Sequence, residues 1–179
     1  MAQQFSIADF NEVVKGVNRP AYFNLEFTKV PSEVTALTVK EATVLARTLP
    51  MPSKTNNVIP IKFRGLEIKF PGDTTFDDWN CTFLVDRDNK AKRFIEDWYN
   101  TIFNIPNKET KIQIEAEASN YLGTIKITSQ GDGTQGSEQV YVLENAFPSQ
   151  LAEVELGSEG EAPLEFNCTF SYAFWNRED

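Results

Sequence analysis

The 179-residue sequence predicts a mainly β protein: an antiparallel barrel or sandwich of about eight strands with one flanking α-helix. Three observations carry this. Several segments alternate apolar and polar residues with a period of two, the pattern of half-buried strands. A single long stretch, about 89–103, switches to three- and four-residue spacing. The composition, 41% hydrophobic with 14 Phe, 5 Tyr and 3 Trp, can fill a core without a disulfide or a metal.

The expected organisation is an arm over 1–19, one domain over 20–176, and a tail of 177–179. In the arm, Phe5, Ile7, Phe10, Val13, Val14 and Val17 have the spacing of a short amphipathic helix ended by Gly16 and Pro20. Alone it would be marginal. Residues 21–29 alternate Phe23, Leu25 and Phe27 inward against Asn24, Glu26 and Thr28 outward, a strand. Residues 38–45 read as another strand, after a turn at Pro31-Ser32-Glu33. Residues 46–60 hold Pro50, Pro52, Pro60 and Asn56-Asn57 with little periodicity. They read as a long loop or a protruding hairpin, and such lengths tend to be functional. Residues 61–70 continue as two strand halves around Arg64-Gly65, and Pro71-Gly72-Asp73 reads as a turn.

Residues 78–85 are the clearest strand, with Trp79, Cys81, Phe83 and Val85 on one face. The helix follows, N-capped by Asp88 or Asn89, with Ala91, Phe94, Ile95, Trp98, Ile102 and Phe103 on its apolar stripe. Asn104 and Pro106 stop it. Residues 111–118 set Ile112, Ile114, Ala116 and Ala118 against Gln113, Glu115 and Glu117; a strand over 121–128 and a glycine-bearing loop over 129–137 come next. Strands at 138–144 and 151–156 flank Ala146-Phe147-Pro148-Ser149. The closing strand, 164–175, places Phe166, Cys168, Phe170, Tyr172 and Phe174 on one side.

The chemistry of catalysis is sparse. With no histidine, the commonest general base, the commonest zinc ligand and every imidazole triad are excluded. No phosphate-cradling or dinucleotide-binding glycine pattern occurs. The closest acid clusters, Asp77-Asp78 and Asp86/Asp88, read as electrostatics at a turn and at a helix start. The expectation is no enzyme, no catalytic or metal-binding residue and no cofactor. Cys81 and Cys168 each lie in Asn-Cys-Thr-Phe, at 80–83 and 167–170. They read as matched strand interiors holding thiols, since no secretory signal is evident and no apolar run is long enough to span a membrane. Charge is uneven. Residues 109–179 hold 3 basic and 13 acidic side chains, which accounts for the whole net charge of −9. Such a surface does not bind nucleic acid by neutralising phosphate.

Two segments carry a resemblance. RGLEIKFPGDTTFDDWNCTFLVDRDNKAKRFIEDW has a strand, then Pro71, Gly72, Asp73, Thr75, Phe76, Asp77, Asp78 and Trp79, an alternating strand, and a helix ending near Trp98. EQVYVLENAFPSQLAEVELGSEGEAPLEFNCTFSYAFW supplies Phe147, Pro148, Ser149, an acidic bridge, then Phe166, Thr169, Phe170, Tyr172 and Trp175. Together with Arg19-Pro20 this ordered set resembles the tail tube proteins of contractile (myovirus-type) bacteriophage tails and related contractile injection systems. The bridge at 157–161 departs from the Asp-Trp-Asp-Ser of many relatives, which leaves the host system open.

The resemblance implies a barrel with a helix on its side, hexameric rings of identical copies, and rings stacked into a hollow tube. A sheath protein surrounds and drives such a tube, baseplate initiator and terminator proteins bound its ends, and a tape measure protein and then DNA occupy its lumen. The expected setting is the virion tail, assembled in the bacterial cytoplasm. On this reading Glu115, Glu117, Glu138 and Glu144 are candidate lumen-facing acids that keep DNA from sticking. Inter-ring contacts are expected from the arm (Phe5, Phe10), the 46–60 segment (Pro50, Pro52, Lys54, Asn56, Asn57) and the acidic bridge (Glu159). Gly72, Phe76, Asp78, Trp79, Trp98, Phe147, Pro148, Tyr172 and Trp175 are expected to serve structure. The alternatives are the tube of an extracellular injection system, a baseplate tube initiator, a small-molecule-binding β-barrel with an internal cavity, and a carboxylate-based hydrolase.

Overall fold

A computed structural model of the chain describes residues 22–104, 113–114, 120–130, 138–154 and 162–178. The arm over 1–19, most of the strand expected at 111–118, residues 131–137 and the acidic bridge at 157–161 lie outside the described residues.

In chain order the elements are β1 (Phe23–Lys29), α1 (Val39–Leu45), β2 (Ala46–Thr48), β3 (Lys54–Phe63), β4 (Leu66–Phe76) and β5 (Trp79–Leu84). Then come α2 (Lys90–Ile102), the two-residue strands β6 (Phe103–Asn104) and β7 (Gln113–Ile114), β8 (Gly123–Ser129), β9 (Gln139–Leu151), β10 (Glu165–Ser171) and β11 (Phe174–Glu178). The protein is mainly β, and its main sheet is curled and antiparallel in the order β1-β8-β9-β10-β5-β2, with β11 also on β9.

β9 produces the curl. Its first half pairs with β8 and β11, its second half with β10. At the changeover Asn145 takes a positive φ of 56°, a backbone state that asparagine tolerates better than most residues. The strand expected at 138–144 therefore runs on unbroken as 139–151, while of the strand expected at 151–156 residues 152–154 are irregular and 155–156 lie outside the described residues. Pro148, expected to interrupt it, lies opposite Phe170 where the ladder shifts register, a place where a missing N–H is tolerated.

The edges of the sheet, β1 and β2, are joined by α1. The Thr43 hydroxyl accepts the Leu25 N–H at 2.9 Å and lies 3.4 Å from the Leu25 carbonyl, so it occupies an edge position a strand would otherwise fill. Residues 38–45, expected as a strand, are thus mostly helix. A capping box overrides their β-branched composition: Thr38 Oγ1 accepts the Glu41 N–H at 3.2 Å, and Glu41 accepts the Thr38 N–H at 3.1 Å. Lys90 adds an ion pair to Glu41 at 2.9 Å. Lys90 first, then the Thr38 hydroxyl and amide, hold the Glu41 carboxyl at about 2, below its ordinary 4.5. The contribution of Glu41 to stability is accordingly complete above pH 4.5 and lost as pH falls toward about 2. In thermal melts, Glu41→Gln should melt slightly below the parent near neutrality, and the difference should close across that acid window.

α2 matches expectation along its stripe, with Ala91, Phe94, Ile95 and Trp98 buried. Its N-terminus differs. Asn89 has a φ of 53° and caps nothing with its side chain; the Asp86 carboxylate reaches over it to accept the Lys90 N–H at 2.8 Å. The core beneath α2 is aromatic. Phe170 lies within 5.6–6.2 Å, ring centre to ring centre, of Phe27, Trp79 and Trp98. Phe83 stacks on Phe166 at 5.6 Å, and the Trp98 indole donates to the Tyr121 carbonyl at 2.7 Å. Those rings fill the space a ligand-binding barrel would leave open. A surface groove of about 490 Å³ runs between Tyr99 of α2 and Gln150 of β9. In the closing segment the alternation breaks at 172–173, so Trp175 turns inward against Tyr141 and Phe174, expected inside, faces out.

Candidate assembly surface

β3 and β4 pair with each other and with no other described strand. Phe63 opposes Leu66 across a two-residue loop, and both loop residues have positive φ, Arg64 at 51° and Gly65 at 84°, the twist that a tight hairpin requires. The expected turn at Pro71-Gly72-Asp73 is instead a bulge in β4: the register steps from Asn56↔Thr74 to Val58↔Pro71. A Cβ on Gly72 would come within 3.1 Å of the Asn57 carbonyl and 3.2 Å of Ile59, so the bulge leaves little room for a side chain there. Residues 54–60 of the 46–60 segment are therefore the rising strand of a hairpin, the second of the two readings the sequence allowed, while 46–48 form β2.

The cross-strand pairs Ile59↔Phe70, Ile61↔Ile68 and Phe63↔Leu66 share one face. These six side chains are 43% to 71% exposed. The other face carries Pro60 opposite Lys69 and Lys62 opposite Glu67. A lone two-stranded ribbon is marginal in water, and a contiguous apolar face of this kind marks an interaction site. Residues 54–76 also carry 4 basic and 2 acidic side chains, on a chain whose net charge is −9. The hairpin is positive and the rest of the chain strongly negative.

The root of the hairpin is fixed by aromatic donors. Trp79 Nε1 donates to the Pro50 carbonyl at 2.6 Å, and Trp175 Nε1 to the Ser53 carbonyl at 3.2 Å, with the Tyr172 hydroxyl 3.4 Å from the same oxygen. Lys54 lies 4.9 Å above the Trp175 ring. Ser53 donates to Asp77 at 2.9 Å, and Ser171 donates to Asp78 at 2.6 Å. Phe76 and Tyr172 lie 6.2 Å apart. Burial, then the carboxylates of Asp77 and Asp78, push the Tyr172 phenol upward. Phe76, Asp78, Trp79, Tyr172 and Trp175, read from the sequence as structural, thus meet at one place and aim the hairpin. The acids Asp77, Asp78 and Asp86 are each engaged in these local contacts, and no described group of three or more potential metal ligands is present. Trp175→Phe keeps an aromatic ring of smaller size and removes the donor. The variant should fold with an unchanged core but assemble less, as read by sedimentation velocity.

Residues 19–178 match the phage tail tube protein family. The chain belongs to that family. Among curated relatives, the tail tube protein gp19 of Enterobacteria phage T4 is 21% identical over 126 residues, 70% of this chain and 75% of that one; gp19 of phage T6 gives the same figures. The fold is shared with a chain of the PVC extracellular contractile injection system sheath–tube complex, with TM-score 0.63, 15% identity, and 98% and 99% of the two chains covered. It is shared as well with a chain of the anti-feeding prophage cap, with TM-score 0.60, 13% identity, and 99% and 94% covered.

Within this family member, the residues expected at ring contacts divide. Pro50, Pro52 and Lys54 belong to the root, and Asn56 and Asn57 to the lower hairpin; Phe5, Phe10 and Glu159 lie outside the described residues. The exposed apolar face (Ile59, Ile61, Phe63, Leu66, Ile68, Phe70) was not singled out from the sequence as a candidate contact surface. Its signal was present, as two alternating runs joined at Arg64-Gly65. Of the candidate lumen acids, Glu115 and Glu117 lie outside the described residues and Glu138 is exposed just before β9. Glu144 is on the outer face of β9 and accepts the Thr124 hydroxyl at 3.1 Å. On the same sheet Lys126 pairs with Glu178 at 2.8 Å, so a cation sits among these acids.

Proposed function

We propose that this chain is the repeating subunit of a contractile tail tube. Copies form hexameric rings, and rings stack through the β3–β4 hairpin into a hollow conduit for DNA. The observation that carries the reading is the hairpin: an apolar face that stays largely exposed, with no other described strand paired to it, aimed by an aromatic root, in a member of the tail tube family. A second copy is the occupant that charge favours, because a positive hairpin meets an acidic body. One patch docking on a different patch is also the arrangement that propagates an open-ended assembly.

Magnitudes explain why stacking involves rings rather than single chains. Burying the exposed half of a large apolar side chain is worth roughly 1 kcal/mol, so six contribute on the order of 6 kcal/mol per hairpin. Immobilising one free partner costs about 4–15 kcal/mol. A single docked chain therefore gains little, whereas a ring docking as a body engages all its hairpins against one such cost.

The same reading assigns the remaining partners: a sheath protein outside, initiator and terminator proteins at the ends, and a tape measure protein followed by DNA within. It assigns the protein a structural role in the virion tail, with no enzymatic chemistry. Glu138 and Glu144 are proposed to face the lumen, where their charge repels phosphate over about 8 Å at physiological salt. The fold shared with the PVC tube complex supports a second setting, a phage-derived injection system, with the same subunit role. Negative-stain electron microscopy of the concentrated protein tests the reading: hollow rings or tubes with sixfold end views support it. Replacing 57–73 by Asn-Gly, a short hairpin turn, should leave rings and remove tubes. Tubes unchanged by that replacement would sink the stacking role.

A further inference from the structure

The repeated tetrapeptide folds onto itself. Cys81 on β5 lies directly opposite Cys168 on β10, Asn80 opposite Thr169, and Thr82 opposite Asn167. Antiparallel pairing of identical segments creates a local two-fold axis through the cysteine pair. On the outer face the symmetry is visible in two hydrogen bonds, Thr82 Oγ1 to Asn167 Oδ1 at 2.7 Å and Thr169 Oγ1 to Asn80 Oδ1 at 2.6 Å. On the inner face the two residues are 2% and 1% exposed, and Cys81 Sγ donates to the Cys168 carbonyl at 3.5 Å.

Directly opposed residues of antiparallel strands have Cα atoms about 4.5 or 5.5 Å apart, depending on the kind of pair. Both values fall inside the range of about 4.4–6.8 Å that disulfides span. Burial, then the neighbouring Cys168 thiol, pushes the Cys81 thiol up, so its thiolate is scarce and the folded pair is slow to react. Both strands are interior to the sheet, β5 between β2 and β10 and β10 between β5 and β9.

We propose that Cys81 and Cys168 are a latent cross-strand disulfide. They persist as thiols while the chain folds in a reducing compartment, and they close when it meets a small-molecule disulfide such as oxidised glutathione. One cysteine thiolate attacks a sulfur of the oxidant, releasing one glutathione thiol and leaving a mixed disulfide. The second cysteine, deprotonated, attacks the protein sulfur of that mixed disulfide and expels the second glutathione. The protein loses two electrons and two protons, and one oxidised glutathione becomes two reduced ones. The bond fastens the middle of the sheet beneath the root of the hairpin.

The test is the effective concentration of the thiol pair in glutathione redox buffers, measured on the full chain when folded and again in denaturing urea. Equilibrium is approached from the reduced chain and from chain oxidised in urea and then refolded, so that slow access does not decide the result. Acid quenching, alkylation and mass spectrometry count the closed fraction, and Cys81→Ser supplies the unclosed reference. The folded value should exceed the unfolded one by about a hundredfold or more, and by linkage the closed bond stabilises the sheet by the same factor. An equal or lower folded value, or separate glutathionylation of each cysteine without closure, overturns the proposal.

Discussion

Aspartate at Ile61 or at Ile68, each alone, is expected to abolish tube formation while leaving the subunit folded. The two residues face each other at the middle of the hairpin and are 51% and 43% exposed. In the isolated chain a carboxylate there meets water, so stability should change by no more than about 0.5 kcal/mol. In a covered interface the same carboxylate is stripped of water without a partner, a cost of several kcal/mol per copy. The critical concentration for assembly should therefore rise by roughly a hundredfold or more. Light scattering reads the assembly and circular dichroism melting reads the fold. Ile61→Val, which keeps the surface apolar, should assemble almost as the parent does.

Phe170→Ala is expected to act in the opposite way, on the fold itself. Phe170 is 0% exposed and bridges Phe27 of β1, Trp79 of β5 and Trp98 of α2. Truncating a buried phenylalanine costs about 3–5 kcal/mol. That is a large part of the roughly 5–15 kcal/mol that holds a domain together. For a chain of this size the midpoint should fall by roughly 10 °C or more. Urea unfolding should show the midpoint shifted, and assembly should fail with the fold, unlike the hairpin variants.

The two predictions mark how far the sequence could be read. Phe170 was legible as core because Phe166, Cys168 and Phe170 alternate, and a period of two assigns a buried face. The same rule stops short at the hairpin. Ile59, Ile61, Phe63, Leu66, Ile68 and Phe70 alternate as cleanly, but alternation reports that a face is buried, not whether its own chain or another copy buries it. α1 was missed because Thr38, Val39, Thr43 and Val44 favour extended backbone. The Thr-x-x-Glu pattern of Thr38 and Glu41, a local helix-start signal, was the clue. Pro71-Gly72-Asp73 and Phe147-Pro148 have turn composition, yet one forms a bulge and the other continues a strand, because neighbouring strands absorb the irregular register. The convergence of Trp79, Tyr172 and Trp175 on Pro50 and Ser53 was beyond sequence reading. It joins residues far apart in the chain through carbonyl oxygens that carry no side-chain signature.

Cryo-electron microscopy of the assembled tube, at side-chain detail, tests the central claim most directly. The account predicts that Ile59, Ile61, Phe63, Leu66, Ile68 and Phe70 are buried against a neighbouring copy, in every subunit along the tube. A tube in which this hairpin face stands in solvent, with rings joined elsewhere, would contradict it.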